Sequence, residues 1–175
     1  MIVPDARGQP APPLPWIVQW AGLVPAAGTV LDVAAGRGRH TRLFAERGHK
    51  VTAIDRDVSA LQPGTNVEVV CADMEDARPW PLTGRKFGAV VVTNYLHRPR
   101  LPDMLASVEP GGVLLYQTFM VGNERFGRPS NPDYLLKDGE LLDLVRGKFS
   151  VIAYEARLIS EPSMAMVQRI AARRF

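Results

Sequence analysis

Thr29-Val30-Leu31-Asp32-Val33-Ala34-Ala35-Gly36-Arg37-Gly38-Arg39-His40 is the stretch whose reading decides the fold. After Gly28 it opens with a short β-branched, apolar run that reads as a buried strand. Gly36 and Gly38 break the run, and Arg39 to Arg47 resumes with helical spacing. Strand, tight glycine turn and helix start together aim backbone N–H groups at a ligand. Glycine is needed because the chain turns sharply and a ligand must approach without a Cβ in the way. Neither the full G-x-G-x-x-G of dinucleotide sites nor the Lys-Ser/Thr pair of phosphate loops is present. Asp32, a carboxylate at the mouth, would repel a pyrophosphate and attract a cation.

Outward from this stretch the chain alternates strands and helices. Expected strands are Lys50 to Asp55, Asn66 to Asp73, Phe87 to Asn94 and Val113 to Phe119, with helices over Trp16 to Val24, Leu101 to Val108 and Asp138 to Val145. Phe87 to Asn94 is continuously apolar, as in a parallel sheet covered on both faces. Phe149 to Ile159 and Met164 to Phe175 are two β-patterned segments joined by four residues, too few for a parallel crossover, so a closing antiparallel hairpin is expected. The expected class is α/β: a doubly wound, Rossmann-like, seven-stranded, mostly parallel sheet with a C-terminal antiparallel hairpin. Residues 1 to 14 read as a flexible Pro-rich tail and 15 to 175 as one domain. Trp16 and Trp20 either pack on the sheet or line the ligand mouth.

Each of the next two strands ends in an acid. Asp55 can accept from the two hydroxyls of a ribose. Asp73 can accept from an exocyclic adenine amine, with Met74 as an apolar wall. Asp32, Asp55 and Asp73 thus stand at the carboxyl ends of three consecutive strands, the edge where open α/β sheets bind ligands.

This pattern resembles motifs I, II and III of the class I S-adenosylmethionine-dependent methyltransferases over roughly residues 28 to 120. Ala34 stands where the first glycine of Val-Leu-Asp-x-Gly-x-Gly-x-Gly is usual, a substitution expected to keep most of the needed geometry. The resemblance implies a cofactor site made of Asp32, Ala34, Gly36, Gly38, Asp55, Arg56, Asp73, Met74 and Thr93. S-adenosylmethionine would be the cofactor and S-adenosylhomocysteine its product. Thr93-Asn94-Tyr95-Leu96-His97 takes the motif IV position, facing the transferring methyl. It is not the Asn-Pro-Pro-Tyr of base-N and protein-glutamine enzymes. Asn94, Tyr95 and His97 can orient a nucleophile or take its proton, or His97 can simply be a solvated turn residue.

After the fifth expected strand comes an irregular stretch, Met120 to Pro132, with two glycines and two prolines. Together with Tyr134-Leu135-Leu136, it is similar to the small bacterial methyltransferases near the tellurite-resistance type. Segments of this kind are often lids. Arg125 and Arg128 can hold an anionic acceptor and Phe126 can exclude water.

Charge narrows the acceptor. Lys and Arg number 21 against 18 acids, and no basic run exceeds two residues, so there is no block to track a nucleic-acid backbone. A small-molecule acceptor is therefore expected, with RNA or protein methylation, or a non-catalytic S-adenosylmethionine-binding module, as alternatives. No metal-ligand set is apparent. The lone Cys71 suits a reducing compartment, and no apolar run approaches the roughly 18 residues of a membrane span. A cytoplasmic protein with no membrane partner is expected.

Overall fold

The computed structural model describes residues 11–175. Seven strands form one sheet: β1 (Thr29–Val33), β2 (Lys50–Asp55), β3 (Val67–Cys71), β4 (Phe87–Thr93), β5 (Val108–Phe119), β6 (Phe149–Ile159) and β7 (Ala165–Arg174). Their order is β3-β2-β1-β4-β5-β7-β6. The first five run parallel, and β7 lies antiparallel between β5 and β6. The chain therefore moves outward from β1 to β3 and then returns to β4 on the other side of β1. That reversal opens a crevice at the carboxyl ends of β1 and β4, the topological switch point where such sheets bind ligands.

Alternation along β1 decides which face each side chain serves. Leu31 and Val33 join one core, with Trp80, Leu82, Leu101, Met104, Leu141 and Val145. Val30 joins the other, with Trp16, Ile17 and Phe44. On the second face lie α1 (Pro15–Trp20), which Pro15 opens at its first turn, and α2 (Arg39–Glu46). Trp16 is buried there and its indole N–H donates to Ile170 O at 3.4 Å, so it packs on the sheet. On the first face lie α3 (Leu101–Ser107) and α4 (Glu140–Val145). The coil from Met74 to Leu82 supplies Trp80 and Leu82 where a helix is absent. Arg100 pins that coil by donating to Met74 O at 2.8 Å and Asp76 O at 3.0 Å.

Three boundaries differ from expectation in ways that matter. β3 stops at Cys71, so Asp73 sits in the turn beyond the strand. β5 begins at Val108, ahead of the expected Val113, and carries Pro110-Gly111-Gly112 as an irregularity before pairing resumes at Ala89 with Val113. Leu14, placed in the tail by sequence, is buried, and its N–H donates to His40 Nε2 at 3.1 Å. Residues 1–10 of that tail lie outside the described residues.

Candidate active site at the strand-end edge

Asp32 is in register with Ala53 of β2 and Val91 of β4, at the centre of the sheet. It lies on the α2 face, two positions from Val30, and its carboxylate accepts from Thr41 Oγ1 at 2.6 Å. Only 1% of it is exposed, and burial pushes its pKa up to about 6. Asp32 does not line the cavities described below: its carboxylate sits beneath the turn, which corrects the expectation of an acid at the mouth. Beside it, His40 Nε2 is taken by Leu14, leaving Nδ1 facing Thr93 Oγ1 at 3.3 Å. Burial, and secondarily Arg39, holds the imidazole down at about 3, so it is neutral.

The turn itself is left-handed at Ala34 (φ 53°), Gly36 (56°) and Gly38 (75°). A Cβ placed on Gly36 would meet no atom within 4 Å, so the space in front of it is open to a ligand. At Gly38 a Cβ would fall 2.9 Å from Leu61 Cδ2. That atom is the movable end of a side chain, so glycine is favoured here by the left-handed backbone before α2, and the residue does not line the cavities. Ala34 adopts a conformation that costs an L-residue about 1 kcal/mol, more than the mild substitution expected from sequence.

Asp55 and Asp73 both line a cavity of about 370 Å³, together with Ala34, Arg56, Met74 and Tyr95. Asp55 is tied into the turn: Oδ2 accepts from Gly36 N–H at 2.8 Å and Oδ1 from Asp57 N–H at 2.9 Å. Asp73 Oδ1 accepts from Glu75 N–H at 2.9 Å. Each carboxylate keeps lone pairs for a bound hydroxyl or amine. Glu75 and Tyr134, neither anticipated, complete the walls. Three acids against one arginine make a chamber for hydrogen-bond donors and positive charge, and a poor one for phosphate.

Ala34 is shared with a smaller cavity of about 140 Å³ bounded by Gly36, Arg37, Arg39, Thr93 and Asn94. Beyond Asn94 (φ 53°) lies a larger chamber of about 610 Å³. Its walls include Phe119 at the end of β5, Phe126 and Arg128 from the segment after it, and Pro162 to Ala165 where the turn after β6 enters β7. A fourth cavity, about 230 Å³, joins Asn94, Tyr95 and Phe119 to Glu75 and Tyr134. The Tyr95 hydroxyl is shut off from solvent and has no hydrogen-bond partner among the described residues, and burial drives its pKa upward.

Of the residues expected to carry chemistry, Asn94 and Tyr95 therefore face the cavities. His97 does not: it caps the 3-10 turn Arg98–Arg100, where its carbonyl accepts from Arg100 N–H at 3.0 Å. Of the three expected acceptor contacts, Phe126 and Arg128 line the large chamber. Arg125 lies outside it, stacked 5.7 Å over Phe126. The cause is Asn123, whose buried side chain donates to Pro129 O at 3.1 Å and accepts from Met166 N–H at 3.1 Å. That fixes the turn of the loop and leaves Arg125 on its outer surface.

The second arginine of the chamber is Arg39, which sequence reading passed over. A signal was available. A cation at the first position of a helix opposes the helix dipole and calls for a compensating role. Tyr134 had no such signal, because Arg98 places it from a distance: the guanidinium donates to Asp133 O and Leu135 O, each at 2.8 Å, and pairs with Glu140 at 2.8 Å.

A family model described as a methyltransferase domain matches residues 30–112. The chain is 30% identical over 132 residues to a demethylmenaquinone methyltransferase of Renibacterium salmoninarum, covering 69% of this chain and 53% of that protein. It is 33% identical over 103 residues to a malonyl-[acyl-carrier protein] O-methyltransferase of Salmonella typhimurium, covering 54% and 40%. The chain belongs to the class I S-adenosylmethionine-dependent methyltransferases. This methyltransferase fold also superimposes on the crystal structure of TehB from Haemophilus influenzae with a TM-score of 0.72 at 17% identity, over 91% of this chain and 61% of that one. The methyltransferase chain spans about half the length of the curated relatives it matches. Among its described residues no helix is long and apolar enough to cross a membrane.

Proposed function

We propose that this protein transfers a methyl group from S-adenosylmethionine to a small-molecule acceptor. The observation that carries the reading is a pair of chambers bridged by two smaller cavities, both of which Asn94 borders. One is acidic and ends at the glycine turn; the other is larger and separately walled. The cofactor supplies a methyl activated on a positively charged sulfur. The residues present fit it: Asp55 accepts ribose hydroxyls, Asp73 and Met74 take the adenine, and Ala34 with the open face of Gly36 admits the chain between. Arg39 and Thr93, beside Gly36, fit the amino-acid end. Gly38 and Asp32 shape the turn from behind.

Transfer to a nucleophile is an in-line displacement that disperses charge, so a dry, preorganised site favours it. Asn94 and Tyr95 line the small cavity that bridges the two chambers and would orient the acceptor. A protonated Tyr95 hydroxyl, buried without a partner, is a donor awaiting one. A cavity of about 610 Å³ fits a small molecule and supports that reading over macromolecular methylation or a purely binding module. The exposed Cys71, the chain's one cysteine, suits the cytoplasm.

The test is calorimetric titration with S-adenosylhomocysteine, S-adenosylmethionine and NAD, followed by an acceptor screen read as S-adenosylhomocysteine release. Binding of both sulfur compounds and turnover of a small acceptor is expected. Binding of NAD alone would overturn the reading.

A further inference from the structure

We infer that the chamber between the 119–128 segment and the β6–β7 turn is a site for a small amphipathic anion, an apolar body bearing a carboxylate or phosphate-type group. The inference rests on the methyl-transfer reading and names the class of its acceptor.

Charge in the two chambers is opposite. The cofactor-side chamber carries Asp55, Asp73 and Glu75 against Arg56. The far chamber carries Arg39 and Arg128, and no carboxylate among its described lining residues. Arg39 starts α2, so its cation and the positive end of the helix add at one spot. Burial lowers its hold on the proton, the sign of a cation kept from water. Guanidinium forks match carboxylate and phosphate oxygens two at a time, which makes an anion the complementary occupant.

The rest of the wall is apolar. Phe119, Phe126, Pro162 and Met164 surround the space, and Met164 is 55% exposed at the rim. Large apolar side chains left in water at the mouth of a basic chamber suit a ligand with a hydrophobic body. Arg39 also borders the small cavity at Gly36, so it serves the cofactor end as well. Arg128 belongs to the far chamber alone and is the acceptor's own cation.

Four probes with one body separate the terms: 4-phenylbutyrate, 4-phenylbutylphosphonate, 4-phenylbutan-1-ol and 4-phenylbutylamine. Each is titrated by calorimetry into the full chain saturated with S-adenosylhomocysteine. The two anions are expected to bind at least about tenfold more tightly than the alcohol and the amine. The tighter of the two identifies the carboxylate or the phosphate class. Arg128→Gln, at an exposed position that the fold does not need, should reduce anion affinity about tenfold and leave the alcohol unchanged. Phe126→Ser should weaken anions and alcohol together. S-adenosylhomocysteine affinity should stay within about threefold in both variants.

Alcohol or amine binding as tightly as the anions would overturn the proposal. So would no anion binding at about 10 mM, or unchanged anion affinity in Arg128→Gln. If S-adenosylhomocysteine itself fails to bind, the methyl-transfer reading falls. The same probe series on the cofactor-free chain then still tests the chamber.

Discussion

The Gly36 amide donates to Asp55 Oδ2 at 2.8 Å, joining the turn after β1 to the end of β2. One carboxylate thereby sets the turn and lines the acidic cavity. Replacing Asp55 by Ala should weaken S-adenosylhomocysteine binding by roughly 2 to 4 kcal/mol, since the ribose loses a charged acceptor and the turn loses its tether. Calorimetry reads the affinity and a thermal melt reads the fold, which should persist because Asp55 is a half-buried strand-end residue. Unchanged affinity would place the ribose elsewhere.

Ala34→Gly should stabilise the protein by about 0.5 to 1 kcal/mol. The left-handed strain at φ 53° is relieved, and the greater freedom of glycine in the unfolded chain offsets part of the gain. Urea unfolding measures it, and a loss of stability would show that the methyl group packs usefully.

Asp32 and His40 oppose each other in acid. Asp32 has its pKa raised from 3.8 to about 6, so the folded state holds the extra proton and stability falls as pH rises through that window. His40 has its pKa lowered from 6.5 to about 3, so the unfolded state holds the proton and stability falls as pH drops through that wider window. Between about pH 4 and 6 the two slopes, each near 1.4 kcal/mol per unit, nearly cancel. Relative to the parent chain, Asp32→Asn should steepen acid destabilisation across that range. Parallel stability–pH curves for the two proteins would show that the Asp32 shift does not operate.

Tyr95→Phe removes a buried hydroxyl that has no partner among the described residues. Stability without ligand should hold or rise by up to about 1 kcal/mol. Turnover of the true acceptor should fall by about tenfold or more. A drop in stability with unchanged turnover would mean the hydroxyl serves the fold through water.

Arg98→Ala should free the turn that carries Tyr134, because it deletes hydrogen bonds to Asp133 O, Leu135 O and Glu140 together. Limited proteolysis between residues 122 and 136 should speed up in the variant, and bound cofactor with acceptor should restore protection in the parent chain. Equal cleavage rates would show that the turn is held by its own backbone.

The acidic end of the cleft was legible in sequence because it is local. Strand, glycine turn and strand-end acid are each set within a few residues, so β2 was bounded to the residue and Asp55 and Asp73 were expected together at the cavity that both line. Asp32 was misplaced because its face depends on the pleat: two positions from Val30, it turns to Thr41 and not to the mouth. Arg39 and Tyr134 were not found because the contacts that place them span the chain. Tyr134 is set by Arg98, and Arg39 meets the 162–165 turn only once β7 has entered beside β5. Arg125 was chosen for its charge, and Asn123 rotates it away.

Insertion of β7 between β5 and β6 brings the 162–165 turn back to the edge where the glycine loop lies. On the proposed reading, the walls of the cofactor cavities come from residues 34 to 95 with Ala11 and Tyr134, whereas most of the acceptor's wall comes from 119–128 and 162–165. The two duties are thus largely separable along the chain. Exchanging the second pair of segments, with Tyr134 and the first half left intact, is a route to grafting a different acceptor preference onto the same methyl-donating frame.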